Sequence, residues 1–141
     1  MAILIVYWTS SGNTGLMADA IKEGILAEGE KVDLRMVSDI DAEEAAQYEK
    51  IALGCPSMGV EQLEEYEFEP FFNNLKPYLA NKKVVLFGSF SWGDGAWMRT
   101  WEDDVNATGA NLVTKGLIVN ETPDSDGLEA ARVLGRALVK A

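Results

Sequence analysis

Five short apolar runs alternate with five amphipathic stretches along the chain, and this alternation constrains the fold more than any other feature. It predicts strands over Ile3–Trp8, Val32–Met36, Lys50–Gly54, Val84–Ser89 and Leu112–Val119. It predicts helices over Thr14–Glu28, Ala42–Tyr48, Phe68–Leu79, Trp97–Ala107 and Leu128–Lys140. Strand-then-helix units in series favour a parallel sheet covered by helices on both faces. The expected fold class is therefore α/β: a three-layer, doubly wound, five-stranded parallel sheet in the order 2-1-3-4-5.

Three residues indicate where predicted helices begin or end. Gly29 and Gly109 follow helical stretches, at positions where a glycine commonly ends a helix. Asp41 lies three residues before Glu44, which is the spacing of a helix N-cap.

Length and charge limit the classes of partner. The 141 residues suit one domain, 1–141, and 48% hydrophobic residues are enough for a core. The net charge of −11 repels nucleic acid and anionic membranes and attracts basic surfaces. We therefore expect a monomer whose partners have basic surfaces, with no nucleic acid or membrane among them. Solubility alone is the simpler explanation of the charge.

The scarcity of histidine and cysteine argues against several kinds of chemistry. The chain has no His, which is the commonest general base and metal ligand, so we expect no metal site. A single cysteine, Cys55, cannot form an internal disulfide or a four-cysteine cluster. Its apolar context predicts a core residue, and a reactive thiol is the alternative. No basic segment followed by an apolar one opens the chain, so we expect a cytoplasmic location.

A hydroxyl-rich turn of six residues follows the first predicted strand and precedes the first predicted helix. It consists of Thr9, Ser10, Ser11, Gly12, Asn13 and Thr14. Backbone N–H groups at a helix start, together with the positive end of the helix dipole, favour an anion. The turn has no Lys or Arg and lacks the spacing of a Walker A loop or a dinucleotide fingerprint. A lone monophosphate fits best, and a helix cap without a ligand is the alternative.

Two further loops follow the third and fourth predicted strands, at the edge where ligands bind in such sheets. In residues 55–62, Met58 offers an apolar flank to a planar ring, Gly59 can turn its peptide over, and Glu61 can accept from a ring N–H. In residues 90–95, Trp92 suits stacking on an aromatic system. The alternatives are an ordinary surface turn, and a tryptophan folded back beside Trp97 and Trp101.

The three loops together resemble those of the flavodoxins, over essentially the whole chain. The resemblance rests on residues 9–14, 54–61 and 87–95 and on Glu69-Pro70-Phe71-Phe72. It is of the short-chain type, and the Met-Gly-x-Glu loop is most similar to the clostridial subgroup. The resemblance implies a low-potential one-electron carrier that binds FMN noncovalently, rather than an enzyme with its own substrate.

The resemblance also implies a role for each loop. Residues 9–14 hold the FMN phosphate. Met58 and Trp92 flank the two faces of the ring, Glu61 accepts from N3–H, and the Gly59 carbonyl turns toward N5 once that nitrogen is protonated. Further cofactor contacts are implied for Pro56, Ser57, Val60, Ser89, Phe90, Ser91, Gly93 and Glu121.

Two residues depart from the family pattern. Val60 stands where Asp, Asn, Ser or Gly is usual, and a turned-over peptide would require a positive φ there, which a β-branched residue disfavours. Ser91 stands where Gly is common. We expect these departures to affect the redox potentials and not the fold or the ligand.

Two other functions remain open at this point. A non-redox, receiver-like signalling module would need acidic residues at the end of the first strand and an acceptor Asp after the third. Thr9 and Cys55 stand there instead. An FMN-dependent reductase is the second alternative, although no candidate acid or base other than carboxylates is present.

Overall fold

The structure is a computed structural model that describes residues 2–141, so Met1 of the expected 1–141 domain lies outside the described residues. Its strands are β1 (Ile3–Tyr7), β2 (Val32–Met36), β3 (Lys50–Gly54), β4 (Lys83–Phe90), β5 (Asn111–Leu112) and β6 (Leu117–Asn120). All strand pairs are parallel, in the order β2-β1-β3-β4, with β5 and β6 both pairing with β4. The predicted fold class and strand order 2-1-3-4-5 are confirmed, with the fifth strand in two pieces.

The helices are α1 (Asn13–Ala27), α2 (Ala42–Ala45), α3 (Phe68–Leu75), α4 (Ala96–Ala107) and α5 (Ser125–Lys140). All five predicted helices are present, but α2 and α3 are shorter than predicted because a turn and a 3₁₀ segment replace their last residues. Helix α5 begins three residues before the predicted Leu128, because the Asp124 carboxylate accepts from Gly127 N at 2.8 Å and caps it. The cap at Asp41 is confirmed, since its carboxylate accepts from Glu44 N at 2.8 Å.

The prediction of one continuous strand over Leu112–Val119 is wrong. Leu112 pairs with Val84, and Leu117 pairs with Phe87. Four residues, 113–116, lie between these pairs on one strand and only two, 85–86, on β4, so the extra residues leave the sheet. Glu102 of α4 accepts from Gly116 N at 2.7 Å and holds the excursion in place.

Side chains from alternate strand positions form two cores, one on each face of the sheet. On one face, strand residues such as Leu4 and Leu53 pack with aromatic residues of α3 and α4. On the other face, residues such as Ile5 and Ala52 pack with α1 and α5. This alternation places two layers of helices around the sheet and leaves the carboxyl ends of the strands for the loops.

Helices α1 and α5 approach each other closely at two glycines. A Cβ at Gly24 would lie 2.1 Å from Arg132 O, and a Cβ at Gly135 would lie 2.3 Å from Ile21 O. Only glycine fits at these two positions. The contact fixes the direction of α1 and therefore the position of the turn that precedes it.

Candidate functional site

A cavity of about 450 Å³ lies at the carboxyl ends of the central strands. Its lining comes from the phosphate turn (residues 9–14), the Met58 loop (residues 55–62), the Trp92 loop (residues 90–95), the end of β4 and the segment after β6. The lining residues are Ser10, Ser11, Asn13, Pro56, Ser57, Met58, Ser89, Phe90, Ser91, Glu121 and Thr122. Ten of these eleven are sequence-predicted site residues, and Thr122 is the exception.

The remaining predicted site residues lie on the same loops without lining the cavity. They are Thr9, Gly12, Thr14, Gly59, Val60, Glu61, Trp92 and Gly93. The structure therefore brings the three predicted loops together, but only part of each loop lines the cavity.

The phosphate turn is shaped by its own hydrogen bonds. Thr9 Oγ1 accepts from Gly12 N at 3.1 Å, and Gly12 has a φ of 94° as the residue before α1. Ser10 and Ser11 are exposed on the turn. The first N–H groups of a helix have no acceptor within it, so the start of α1 presents donors at the hydroxyl-lined end of the cavity.

Thr14 connects the phosphate turn to β4 beneath the cavity. It is buried, its Oγ1 lies 3.0 Å from Ser89 Oγ, and it accepts from Ser89 N at 3.3 Å. The hydroxyl of Thr14 is thus occupied by β4, whereas Ser89 also lines the cavity.

The segment after β6 closes one side of the cavity. Thr122 Oγ1 donates to Asn13 Oδ1 at 3.2 Å, which joins this segment to the phosphate turn. Glu121 has a φ of 58° and its N–H donates to Phe90 O at 2.7 Å. Sequence reasoning missed Thr122, because a threonine between a strand and a proline carries no distinctive signal.

The Met58 loop contains a tight hairpin. Met58 and Gln62 exchange two backbone hydrogen bonds, of 2.8 and 2.9 Å, around the three residues between them. Gly59 and Glu61 have φ angles of 53° and 55°. Val60 is 80% exposed and is not among the residues with positive φ, so it carries no left-handed strain in this conformation. The effect of Val60 on a turned-over peptide stays a prediction.

Glu61 contacts the opposite loop. Its Oε1 accepts from Gly95 N at 3.2 Å and from Ala96 N at 2.9 Å, at the beginning of α4. The carboxylate predicted to accept from a ring N–H is therefore already bound on one oxygen.

Trp92 differs from the other tryptophans near α4. Its side chain is 56% exposed, whereas Trp97 and Trp101 are each 1% exposed and belong to the core on one face of the sheet. The centroids of the Trp97 and Phe90 rings are 5.7 Å apart, and Trp97 Nε1 donates to Cys55 O at 3.2 Å. Trp92 does not fold back into that cluster, so its indole is available for stacking.

Two buried groups support the Met58 loop. Cys55 is buried as predicted, and burial raises the pKa of its thiol to about 12, so it is a core residue and not a nucleophile. Glu64 is 5% exposed and its carboxylate accepts from Tyr66 N, Glu67 N and Phe68 N at 2.8–2.9 Å. This carboxylate caps α3, a role that sequence reasoning missed because a Glu in an acidic run reads as a solvated residue.

The cavity carries negative and neutral groups. None of the lining residues is Lys or Arg, and one of them, Glu121, is acidic. Arg99 beside the Trp92 loop is paired with Asp94 at 2.9 Å, and this hydrogen bond lowers the pKa of the Asp94 carboxyl. An anion held here is bound by hydrogen bonds rather than neutralised by a cation.

The described part of the chain contains no cluster of acidic, His or Cys side chains that could hold a metal ion. Within residues 2–141, no helix combines the length and hydropathy needed to cross a membrane.

Comparison with known proteins decides the family. A flavodoxin family model matches residues 5–135. The chain belongs to the flavodoxin family. It is 46% identical to a flavodoxin of Clostridium beijerinckii over 85% of this chain and 87% of that one. It is 43% identical to a flavodoxin of Megasphaera elsdenii over 97% and 98% of the two chains.

Solved structures agree with this family. The solution structure of two-electron reduced Megasphaera elsdenii flavodoxin superposes with a TM-score of 0.90 at 42% identity and covers 99% of both chains. A crystal structure of oxidised flavodoxin 2 from Bacillus cereus gives a TM-score of 0.87 at 33% identity, over 99% of both chains.

The family establishes the activity. As a flavodoxin the chain is an electron carrier that uses FMN and exchanges electrons with redox partners, rather than a catalyst with its own substrate. The family thus favours the predicted carrier over the signalling module and the reductase. The cavity fits the cofactor, because hydroxyl and amide groups at the start of α1 suit a phosphate, Met58 and Phe90 suit a flat ring, and 450 Å³ is within the usual range for ligand pockets.

Proposed function

We propose that this flavodoxin holds the FMN phosphate in the phosphate turn and the flavin ring between the Met58 and Trp92 loops. The observation that carries this proposal is the cavity in which hydroxyl donors at the start of α1 adjoin an apolar wall from two other loops. Residues 9–14 supply the phosphate donors, and the bonds between the Thr14 hydroxyl and Ser89 join this turn to β4.

The ring end of the site is assigned to residues that sequence reasoning singled out. Met58 and Trp92 flank the ring, and Glu61 accepts from N3–H through Oε2. The Gly59 carbonyl is the acceptor for a proton on N5. The remaining contacts are assigned to Pro56, Ser57, Val60, Ser89, Phe90, Ser91, Gly93 and Glu121, and Thr122 is added to them. FMN supplies the one-electron chemistry, and these residues bind it, orient it and exclude water.

The charge of the protein supports a low potential. The cavity wall has no cation to offset the phosphate, and the chain has a net charge of −11. A unit negative charge about 10 Å from the ring, at an effective dielectric constant of about 20, disfavours an added negative charge by about 1.7 kcal/mol. For one electron this corresponds to about 70 mV. Glu121 lines the cavity and Glu61 lies on an adjoining loop, so both carboxylates disfavour added negative charge on the cofactor.

The same charge supports the partner class. We propose redox partners with basic surfaces and no association with nucleic acid or membranes. We also propose that residues 1–141 act as one FMN-binding domain, as a monomer in the cytoplasm.

The proposed phosphate site is tested by comparing two ligands. Replacing both Ser10 and Ser11 with alanine should weaken FMN binding about tenfold or more, the scale of hydrogen bonds to a charged group. Riboflavin, which lacks the phosphate, should lose much less. Ser38→Ala, in an exposed segment outside the cavity, is the matched control. Equal loss for both ligands in a binding titration would contradict the assignment.

A further inference from the structure

Helix α4 begins without a capping group of its own. The residue before it is Gly95, which has a φ of 93° and no side chain, and the first turn contains no acidic residue. The N–H groups of Gly95 and Ala96 find their acceptor on the opposite loop, at Glu61 Oε1. A carboxylate at this position also interacts favourably with the helix dipole.

The backbone of Glu61 is held in place by the hairpin of the Met58 loop. The two backbone bonds between Met58 and Gln62 close the hairpin in which it lies. With a φ of 55°, its backbone direction is set by this turn and differs from that of an extended residue. The hairpin therefore fixes the backbone position from which the Glu61 side chain extends to α4.

Gly93 packs directly on the Glu61 carboxylate. A Cβ at Gly93 would lie 2.5 Å from Glu61 Cδ and 2.6–2.8 Å from its two oxygens. The Trp92 loop thus contacts the Met58 loop at a position where an added Cβ would collide with the carboxylate.

We propose that Glu61 is a positioning residue that fixes the Met58 loop and the Trp92 loop at one separation. Its Oε1 binds the start of α4, which leaves Oε2 to face the flavin. Met58 and Trp92, the two proposed flanks of the ring, are thereby held apart at a set distance. This inference rests on the proposed arrangement of the site.

Hydrogen exchange in the FMN-saturated protein tests the inference. Glu61→Ala should accelerate exchange of the Gly95 and Ala96 amides about fivefold or more, the scale of a lost helix cap. Glu61→Gln keeps an amide oxygen that can accept from both N–H groups, so its exchange should stay within about twofold of wild type. Glu65→Ala removes the same charge from an exposed position and should change neither amide.

Two results would overturn the inference. Unchanged exchange in Glu61→Ala would show that α4 does not depend on this carboxylate. Equal acceleration in Glu61→Ala and Glu61→Gln would assign the protection to charge or to the flavin contact. Visible absorbance of the wild type reports separately on FMN binding, so failure of the proposed function is distinguishable from failure of the positioning role.

A second variant tests the same contact with Glu61 in place. Gly93→Ala should displace the carboxylate by collision and accelerate exchange of the Gly95 and Ala96 amides by about threefold or more. Gly29→Ala is the matched control, because Gly29 has a similar φ of 84° but no atom within 4 Å of its added Cβ. Exchange in Gly93→Ala no faster than in Gly29→Ala would contradict the inference.

Discussion

Trp92 shows how one residue can carry a function that its neighbours do not. Three tryptophans lie within ten residues of one another, and two of them fill the core beside α3. Trp101 packs edge-to-face with Phe68 and Phe72, with ring centroids 5.5 and 6.0 Å apart. Trp92 remains 56% exposed beside the cavity, in a glycine-rich loop that gives it no core to join. Its large apolar surface has a role only when a partner covers it.

We expect Trp92→Ala to raise the emission of bound flavin and to weaken FMN binding by about 1–2 kcal/mol, the scale of an aromatic stacking pair with some lost burial. Trp92→Phe, which keeps a smaller ring, should have a lesser effect on both. The measurement is flavin fluorescence at saturating protein concentration. Unchanged emission in Trp92→Ala, with the flavin fully bound, would place this indole away from the ring.

At the scale of elements, strands buried on both faces were the easiest to predict. The apolar runs of β1 and β3 have few other interpretations, and both strands lie where predicted to within one residue. Gly29 and Gly109 end helices with φ angles of 84° each, as the sequence indicated. The fifth strand was predicted as continuous because its register against β4 is a property of the pair of strands and not of either sequence. In that register Val113 N still donates to Val84 O, and residues 114–116 leave the sheet.

The sequence was enough to identify the loops of the site but not the contacts between them. Sequence motifs identified the three loops, but they could not show that Thr14 is tied to Ser89 or Glu61 to α4, because these bonds join residues far apart in the chain. Thr122 was missed for the same reason, since its partner Asn13 lies far away in the chain. Glu64 was missed for a different reason: its partners are local, but a glutamate in an acidic run is usually a solvated residue.

A hydrogen bond from Tyr48, which follows α2, to Asp33 of the edge strand β2 makes the stability of the fold depend on alkaline pH. Tyr48 donates to Asp33, and this bond raises the pKa of Tyr48 to about 12. An unfolded tyrosine titrates near pH 10, so between pH 10 and 12 only the unfolded chain releases the proton. The stabilisation is complete below pH 10 and is lost as pH rises through about 12.

We expect wild type to lose more stability than Tyr48→Phe between pH 9 and 12, because the variant lacks the hydroxyl that titrates. Denaturant unfolding at a series of pH values measures this difference. Tyr78→Phe removes a hydroxyl from a half-exposed tyrosine and is the matched control. Parallel pH profiles for wild type and Tyr48→Phe would show that the bond to Asp33 does not contribute.

For the whole molecule, the net charge of −11 is the property that acts on partners over the longest distance. Long-range attraction raises the rate of encounter with an oppositely charged partner and is screened by salt, with a Debye length of about 10 Å at 0.1 M. The charge therefore affects which partners bind and how fast they meet the protein, whereas the cavity binds the cofactor.

We expect electron transfer from the reduced protein to a strongly basic cytochrome to slow as ionic strength rises, because salt screens the attraction. Transfer to an acidic acceptor protein should instead quicken, since the same salt screens repulsion. Stopped-flow rates at several salt concentrations measure both slopes. A flat rate with the basic acceptor would leave the charge as a feature of solubility alone.

The central claim is that three loops at the end of this sheet bind one FMN and tune it for single electrons. A spectroelectrochemical titration of the purified, FMN-loaded protein tests it most directly. We expect one flavin per chain, reduced in two separate one-electron steps, the second at a lower potential than that of free FMN because of the anionic surroundings. A single two-electron step at the potential of free FMN, or a chain that retains no flavin, would contradict the claim.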